Sequence, residues 1–560
     1  MNCLKIKYFF LFWIFIFLFY RLEAQVLPAG NPMLEENIRR NQLIDSTEQK
    51  ASFLLRPISG NYDFLNRLFP EFLAKIPAVE IYALPLTAIS QMNTKRPYGW
   101  GDYGMIPSRG GQQYISSGLF IKYKFIHLQL QPDLVLAQNK AYQGFSREFR
   151  DGIQAARFIF WNFGDYPERF GSAGYSKFSL GQSKLSAQFG AFEAGISTQN
   201  LWWGPGQWNA LTFSNNAQGF PHLSLNTTKP AKTFLGNFEG QLIMGRIEES
   251  GLKPSQHADL NDRFFTDFTG DWKYVNGITV SYSPKWIPGL FLGFSRTFQQ
   301  YRERMGDGFR DYFPILDPFQ KESIFENGNT VEFDGAGRDQ TATLFFRWVI
   351  PKHHTEFYAE FGRRDHAFNW RDAILTPEHA RAYLMGFSKL IPLSKENQYV
   401  QLRGEMTHQQ ESINRYIRYR GLGGGISWHT HTRARGFANY GQPLGVGIGV
   451  GSNVQTLELA IVENFNKYGI LLERLENQQD FYYRAFGQQK EHKPWVDLSL
   501  GFLFDHRWDN LLLSSKVQLI HGRNYQWQLD PSSTPDFPKG ENLFSVHSQV
   551  SLVYLWGGGK

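Results

Sequence analysis

From about residue 79 onward, apolar residues recur at every second position in one short run after another. Leu119, Ile121, Tyr123 and Phe125 alternate with Phe120, Lys122 and Lys124, and Leu128, Leu130, Leu134 and Leu136 continue the series around glutamines and Asp133. The pattern returns in Tyr383, Met385 and Phe387, in Leu457, Leu459 and Ile461, in Val496, Leu498, Leu500, Phe502 and Phe504, and in Val546, Val550, Leu552, Tyr554 and Trp556. A period of two predicts strands. One greasy face opposed to an often polar one fits a sheet with hydrocarbon outside and water inside. A soluble sandwich alternates in the same way but rarely sustains it as one unit over so long a chain.

Connection lengths sharpen that expectation. Short turns are predicted near Asp505–Asn510, Asn464–Lys467, Leu393–Gln398, Pro351–His354 and Ser283–Pro288. Between them fall long connections near 521–543, 475–494, 408–454, 363–381, 299–340 and 247–273. A tight turn at Phe125–His127 is flanked by long segments at 93–112 and 138–152. Strict alternation of short and long connections is the habit of an outer-membrane barrel, with periplasmic turns and extracellular loops. The pattern predicts about twelve strands after residue 237, about four before 164 and about two between, roughly 18 in all and an even number as single-chain barrels require. Residues 200–237 are expected between a descending and an ascending strand, starting at the periplasmic side or folding inward.

Residues 25–77 have a different rhythm. Asn31-Pro32 suits a helix start, with Glu35 and Glu36 four residues before Arg39 and Arg40. Ser46 and Gln49 form a capping box for a second short helix that should stop before Pro57. Leu65, Leu68, Phe69, Phe72, Leu73 and Ile76 share one face of a third, which Pro70 would kink. Three short amphipathic helices predict a small bundle docked on something larger. The predicted organisation is therefore a leader at 1–24, a helical segment at 25–77 and a barrel at 78–560.

Composition adds the compartment. Lys5 and Lys7 precede an apolar run from Tyr8 to Tyr20, and Ala24 offers a small residue for cleavage, the order of a secretory signal peptide. The run is shorter than the roughly 20 residues of a spanning helix. The only cysteine, Cys3, lies ahead of it, which excludes a lipoprotein and leaves no disulfide to hold the exported part. No later segment is long and apolar enough for a helical span, and mean hydropathy is −0.38. Yet 16% of residues are aromatic, with 50 Phe, 26 Tyr and 15 Trp, as aromatic girdles at both lipid boundaries demand. The formal charge of +7 admits an acidic polymer or lipopolysaccharide phosphates as partners, or ordinary scatter of surface charge.

Residues 200–222 contain Trp202-Trp203-Gly204-Pro205-Gly206 followed by Leu211-Thr212-Phe213-Ser214-Asn215-Asn216-Ala217. This segment strongly resembles the Wzi capsule-assembly family of outer-membrane proteins. Arg96-Pro97-Tyr98-Gly99-Trp100-Gly101-Asp102 and Pro284-Lys285-Trp286-Ile287-Pro288-Gly289-Leu290 are similar to segments of its Bacteroidetes-like branch. The resemblance implies an all-β antiparallel transmembrane barrel of about 18 strands with a small α-helical bundle at its periplasmic mouth. It also implies a lectin-like protein that binds exported capsular or surface polysaccharide and helps to attach it, amid outer-membrane lipid and lipopolysaccharide, with export machinery as a further partner. Glycan specificity does not transfer, because long loops vary within such families. The ending Trp556-Gly-Gly-Gly-Lys also departs from the aromatic terminus common in barrels.

Sugar binding calls for aromatic platforms beside amides and charged donors. Trp202, Trp203 and Trp208 with Asn215 and Asn216 supply that mixture; the competing reading, preferred for the Trp202–Trp203 pair, is internal packing. The long loops offer Tyr98, Trp100, Asp102 and Arg109, then Arg415, Arg418, Arg420, Trp428, His429 and His431. Arginine forks suit carboxylates of an acidic glycan, while a solvated loop or lipopolysaccharide contact would use the same residues. His429 and His431 could share a strand face, but no carboxylate stands near to complete a metal set, and no cofactor is expected. Gly421–Gly425 and Gly445–Gly451 lack a P-loop lysine and any βαβ context. Nucleic acid is excluded by export. Besides the non-enzymatic lectin, a solute pore remains as an alternative, and a barrel hydrolase as a lesser one for which spacing selects no nucleophile.

Overall fold

The computed structural model describes residues 26–556 apart from 32, 45–50, 60–73, 77, 268–269, 318–321, 327–328, 334–336, 366–373, 375–377, 413–425 and 488–490. Eighteen antiparallel strands close into a barrel. The first three are β1 (Val79–Asn93), β2 (Gly110–Tyr123) and β3 (Ile126–Leu130 with Asp133–Ala137). Then come β4 (Tyr175–Ser179 with Lys184–Phe189), β5 (Phe192–Ser197) and β6 (His222–Thr227). The wall continues through β7 (Gly236–Ile247), β8 (Lys273–Pro284), β9 (Leu290–Tyr301), β10 (Asp339–Ile350), β11 (Thr355–Arg364) and β12 (Arg381–Pro392). It is completed by β13 (Gln398–His408), β14 (Asn453–Glu463), β15 (Asn466–Glu476), β16 (Val496–Trp508), β17 (Leu511–Arg523) and β18 (Leu543–Tyr554). The last strand pairs with the first, His547 opposite Asn93 through Tyr554 opposite Leu86, so the sheet has no open edge. β3 is interrupted at Pro132, which has no N–H for the ladder.

The predicted alternation is realised face by face. On β14, Leu457, Leu459 and Ile461 are 41–46% exposed on the outer wall, whereas the alternate residues Glu458, Ala460 and Val462 are buried inward. Trp286, Trp348, Trp508, Tyr554 and Trp556 lie exposed at or near the rim of short turns, where an aromatic girdle meets the lipid boundary. Short turns gather at one end and long loops at the other, the periplasmic and outer ends respectively of an outer-membrane barrel.

The strand total agrees with the sequence reading, but its distribution is corrected. Three strands precede residue 164 and three lie between 164 and 237, because residues 151–162 form a helix, α2 (Asp151–Asn162), where a strand was expected. Ile153, Ala156, Phe160 and Trp161 carry helical spacing and are all buried. Of the two alternatives for 200–237, folding inward is the one found. β6 divides that stretch, and residues 198–221 leave the outer end of β5 and fold inward, not from the periplasmic side.

The lumen is filled by three pieces of chain. The N-terminal piece contains α1 (Leu34–Ile44), lodged at the short-turn end. Asn37 and Arg40 donate to the Asn464 carbonyl at 2.8 and 2.6 Å, and the Leu43 carbonyl meets the His354 ring at 2.8 Å. The second expected helix is not formed where it is described, since Leu55–Arg56 and Ile58–Ser59 are extended. The third lies outside the described residues except at Ala74–Ile76, which pair as a strand with β1. Segment 198–221 is the second piece, tied to the first by pairing of Trp202–Trp203 with Leu55–Arg56. Segment 426–452 descends from the outer end as the third, with the Ser214 N–H donating to the Leu444 carbonyl at 2.7 Å. Over these sits an aromatic cap of α2, α3 (Ala258–Phe264) and α4 (Gln479–Ala485), packed on Trp495, Tyr525 and Trp527.

Candidate functional site

The Trp-Trp-Gly-Pro-Gly segment is a loop wrapped around two carboxylates of the barrel wall. Glu405 on β13 accepts backbone N–H groups from Gln207 at 2.6 Å, Trp208 at 3.3 Å and Asn209 at 2.9 Å. Glu360 on β11 accepts those of Gly206 at 3.4 Å and Leu211 at 2.9 Å. Arg56 closes the other side, donating to the Gly204 and Gly206 carbonyls at 2.9 and 2.8 Å, with its guanidinium 4.1 Å from the Trp202 ring. Burial lowers the affinity of Arg56 for its proton, and the adjoining Glu35 carboxylate opposes that. Glycine at 204 is required twice over: its φ is +115°, and an added Cβ would fall 2.1 Å from Glu360 Oε1. A Gly204→Ala variant is therefore expected to loosen the loop by roughly 1–3 kcal/mol of backbone strain. The check is faster amide exchange at 203–211 than in the parent protein; unchanged exchange would refute it.

This arrangement decides between the two readings of the tryptophan pair. Trp202 and Trp203 are 3% and 1% exposed; Trp203 packs edge-on against Phe213 and donates to Gln241 at 2.8 Å. Enclosed as they are, both rings hold the plug, as the packing reading preferred for the pair expects. Trp208 is half-buried on a cavity, with Arg403 4.8 Å from its ring.

Two sizeable cavities are formed by the described residues inside the barrel, and the predicted segment at Tyr98–Trp100 lines both. The lower, of about 260 Å³, reaches from α1 to strands β15–β18 and carries charge on both sides: Glu36, Arg403, Glu458 and Lys467 form one network, while Asp102, Glu473 and Lys516 lie opposite. Glu36 would be raised by burial, but Arg403, Lys467 and Arg40 together hold its carboxyl well below the usual range. Asp102 takes hydrogen bonds from Gln91 at 2.6 Å and Gln549 at 3.0 Å, and burial still pushes its carboxyl up.

The upper cavity, of about 210 Å³, lies beneath the aromatic cap. Its walls join ring faces of Tyr98, Trp100, Tyr142, Trp161 and Tyr525 to Arg157, Asn216 and Gln526. Tyr98 is anchored through its hydroxyl to Glu473, and its backbone carbonyl accepts from Asn93 at 2.9 Å. Asn216 donates to the Pro443 carbonyl at 2.9 Å and accepts the Gly101 N–H at 3.2 Å.

Other predicted residues serve elsewhere. Asn215 is buried, its carbonyl accepting the Tyr103 N–H at 2.7 Å. Arg109 ties loop ends together through the Thr94 and Ala141 carbonyls at 3.1 and 2.8 Å. Trp428 is buried against the inner wall beside Tyr358. His429 is buried on Gln409 at 2.5 Å, and burial with the charge of Arg364 pushes it down to about 3, so it is neutral. His431 faces Asp365; among the described residues no cluster of three His, Cys, Asp or Glu is placed to hold a metal. Arg415, Arg418 and Arg420 lie outside the described residues. Sequence reasoning missed Arg157, Tyr142, Trp161 and Tyr525. The available signal was the helical spacing of Ile153, Ala156 and Phe160, with an arginine set among them.

A family profile described as "Capsule assembly protein Wzi" matches residues 96–524. No curated protein sequence matches the chain. Among solved structures, the Escherichia coli barrel titled as Wzi, an outer-membrane protein involved in group 1 capsule assembly and a carbohydrate-binding β-barrel, is similar with a TM-score of 0.57 at 12% identity, covering 94% of this chain and 99% of that one. Acinetobacter baumannii OccAB1 follows at 0.38 and 8%, covering 87% and 98%, and Pseudomonas aeruginosa OccK11 at 0.37 and 9%, covering 87% and 98%.

Proposed function

The chain belongs to the Wzi capsule-assembly family, and from that footing we propose that it is an outer-membrane lectin, which binds exported capsular or other surface polysaccharide and helps to hold it at the cell surface. It acts by binding, without catalysis, after residues 1–24 are removed on export, and it sits among outer-membrane lipid and lipopolysaccharide. The observation that carries this reading is the upper cavity: aromatic faces, an arginine and side-chain amides converge on the long-loop side of a lumen that three segments of chain fill. Flat rings stack on the apolar faces of sugars, and amides and guanidinium groups bond their hydroxyl and acidic substituents.

The test is direct. Purified protein in detergent is expected to be retained on immobilised polysaccharide from its own cells, and deletion of the gene is expected to shed that polymer into the medium. In planar bilayers the protein should pass little current. A large, steady conductance with no retention on polymer would favour the pore reading and defeat this one.

A further inference from the structure

We propose that the upper cavity is a subsite for a single acidic sugar residue, whose anionic group is received by Arg157; this rests on the lectin reading above. Arg157 projects from α2 and is 5% exposed. Its Nη1 donates to Gln478. Its Nε has no partner among the described residues. Several other buried arginines meet a carboxylate: Arg39 meets Glu356 at 2.8 Å, Arg96 meets Asp497 at 2.6 Å, and Arg347 and Arg364 meet Glu356 and Asp339 at 2.7 Å. Arg157 makes no such pair among the described residues.

A lone buried guanidinium is costly. Burial accordingly pushes Arg157 down to about 10, against the pull of Glu168. Aromatic faces recover part of that cost, with Trp161 at 4.6 Å and Phe481 at 5.1 Å from the guanidinium carbon. Glu168 lines the same cavity, but its oxygens take the backbone N–H groups of Phe145 at 2.8 Å and Gln256 at 3.2 Å. Arg96, the other cation in the cavity wall, is already paired with Asp497. The positive group left to bind a ligand is therefore Arg157.

A second group with one unpartnered atom lies in the same cavity wall. Gln526, 6% exposed, has no donor for its Oε1 among the described residues. A guanidinium and a side-chain amide in one cavity wall match an acidic substituent and a hydroxyl on one ring. The tyrosine hydroxyls are already committed, Tyr142 to the Glu168 carbonyl and Tyr525 to the Gln143 carbonyl, both at 2.6 Å, which leaves their ring faces for stacking. A volume of about 210 Å³ is below the roughly 300–1,000 Å³ of sites for drug-sized ligands, and suits one sugar unit.

The experiment titrates the full chain in detergent with glucuronic acid, glucose 6-phosphate and glucose, read by ligand-observed NMR. An acidic sugar should bind at least about ten-fold tighter than glucose. Arg157→Gln should abolish that preference, Arg157→Lys should restore part of it, and Gln526→Leu should weaken every sugar without changing the preference. Preference for glucuronic acid over glucose 6-phosphate assigns the subsite to a uronic acid of the polymer, and the reverse to a phosphorylated sugar. Equal binding of the acidic sugars and glucose, or an undiminished preference in Arg157→Gln, would overturn the subsite. Retention of the protein on its own polymer in either of those cases would leave the lectin reading standing, whereas loss of both would remove the two together.

Discussion

Replacing Glu405 with alanine is expected to release the inner loop at 203–211 and open the lumen. The Glu405 carboxylate is the shared acceptor for three consecutive backbone N–H groups and for the Tyr358 hydroxyl at 3.0 Å. Alanine leaves those donors buried without an acceptor, at roughly 1–3 kcal/mol each. The effects of such neighbours do not add, so a net loss of about 3 kcal/mol is the conservative figure, equivalent to about a hundred-fold in an opening equilibrium. Amide exchange at 207–211 should accelerate by that factor, and single-channel recordings should show current bursts absent from the parent. Glu405→Gln retains one acceptor oxygen and should lie between the two. If the alanine variant exchanged no faster, the carboxylate would not be what holds the loop.

The second large effect concerns α1. Glu36 reaches Arg40 at 2.6 Å, Arg403 at 3.1 Å and Lys467 at 2.8 Å, with its side chain 19% exposed at the lower cavity. Removing one partner of a largely buried ion network strands its opposites and costs about 3–5 kcal/mol. Glu36→Gln is thus expected to detach α1 from the barrel at neutral pH, seen as rapid exchange of amides at 37–44 while the wall strands stay protected. The pH dependence has a definite sign. Because cations depress the Glu36 carboxyl in the folded state, its contribution is complete above the ordinary glutamate value of 4.5 and is lost as pH falls through the depressed value. The parent should keep α1 docked at pH 5 and loosen it only under much stronger acid. The glutamine variant should show no such carboxyl-linked step; docking of that variant equal to the parent's at neutral pH would refute the account.

Both effects explain why parts of the molecule were legible from the chain and parts were not. The alternation along Leu457–Ile461 and Val496–Phe504 gave the wall directly, because hydrocarbon on one side and a filled lumen on the other impose a period of two on any strand. The short turns at Asn464 and Pro351 and the long loops between them gave the strand total and the two ends. Helix α1 was legible in the Glu36–Arg40 pair, although it begins at Leu34, after Met33 at φ +62°, and the Asn31 side chain does not cap it. Its other acidic and basic neighbours were not: Glu35 and Arg39, four apart, turn away from each other to Arg56 and Glu356, partners 21 and 317 residues distant.

The sequence by itself determined a closed, lipid-facing sheet, its handed alternation of turns and loops, and the motif around Trp202 that carries the family. Only the tertiary structure decided what Trp202 and Trp203 pack against, that Tyr98 and Trp100 line two cavities, and that Arg157 is buried with no carboxylate paired to it among the described residues. The physical reason is range. A strand face answers to the solvent beside it and leaves its mark within a few residues, whereas a lumen is furnished by segments brought together across the barrel. Gln526 and Arg157 sit in one cavity wall although hundreds of residues of chain separate them, and no local pattern records that meeting.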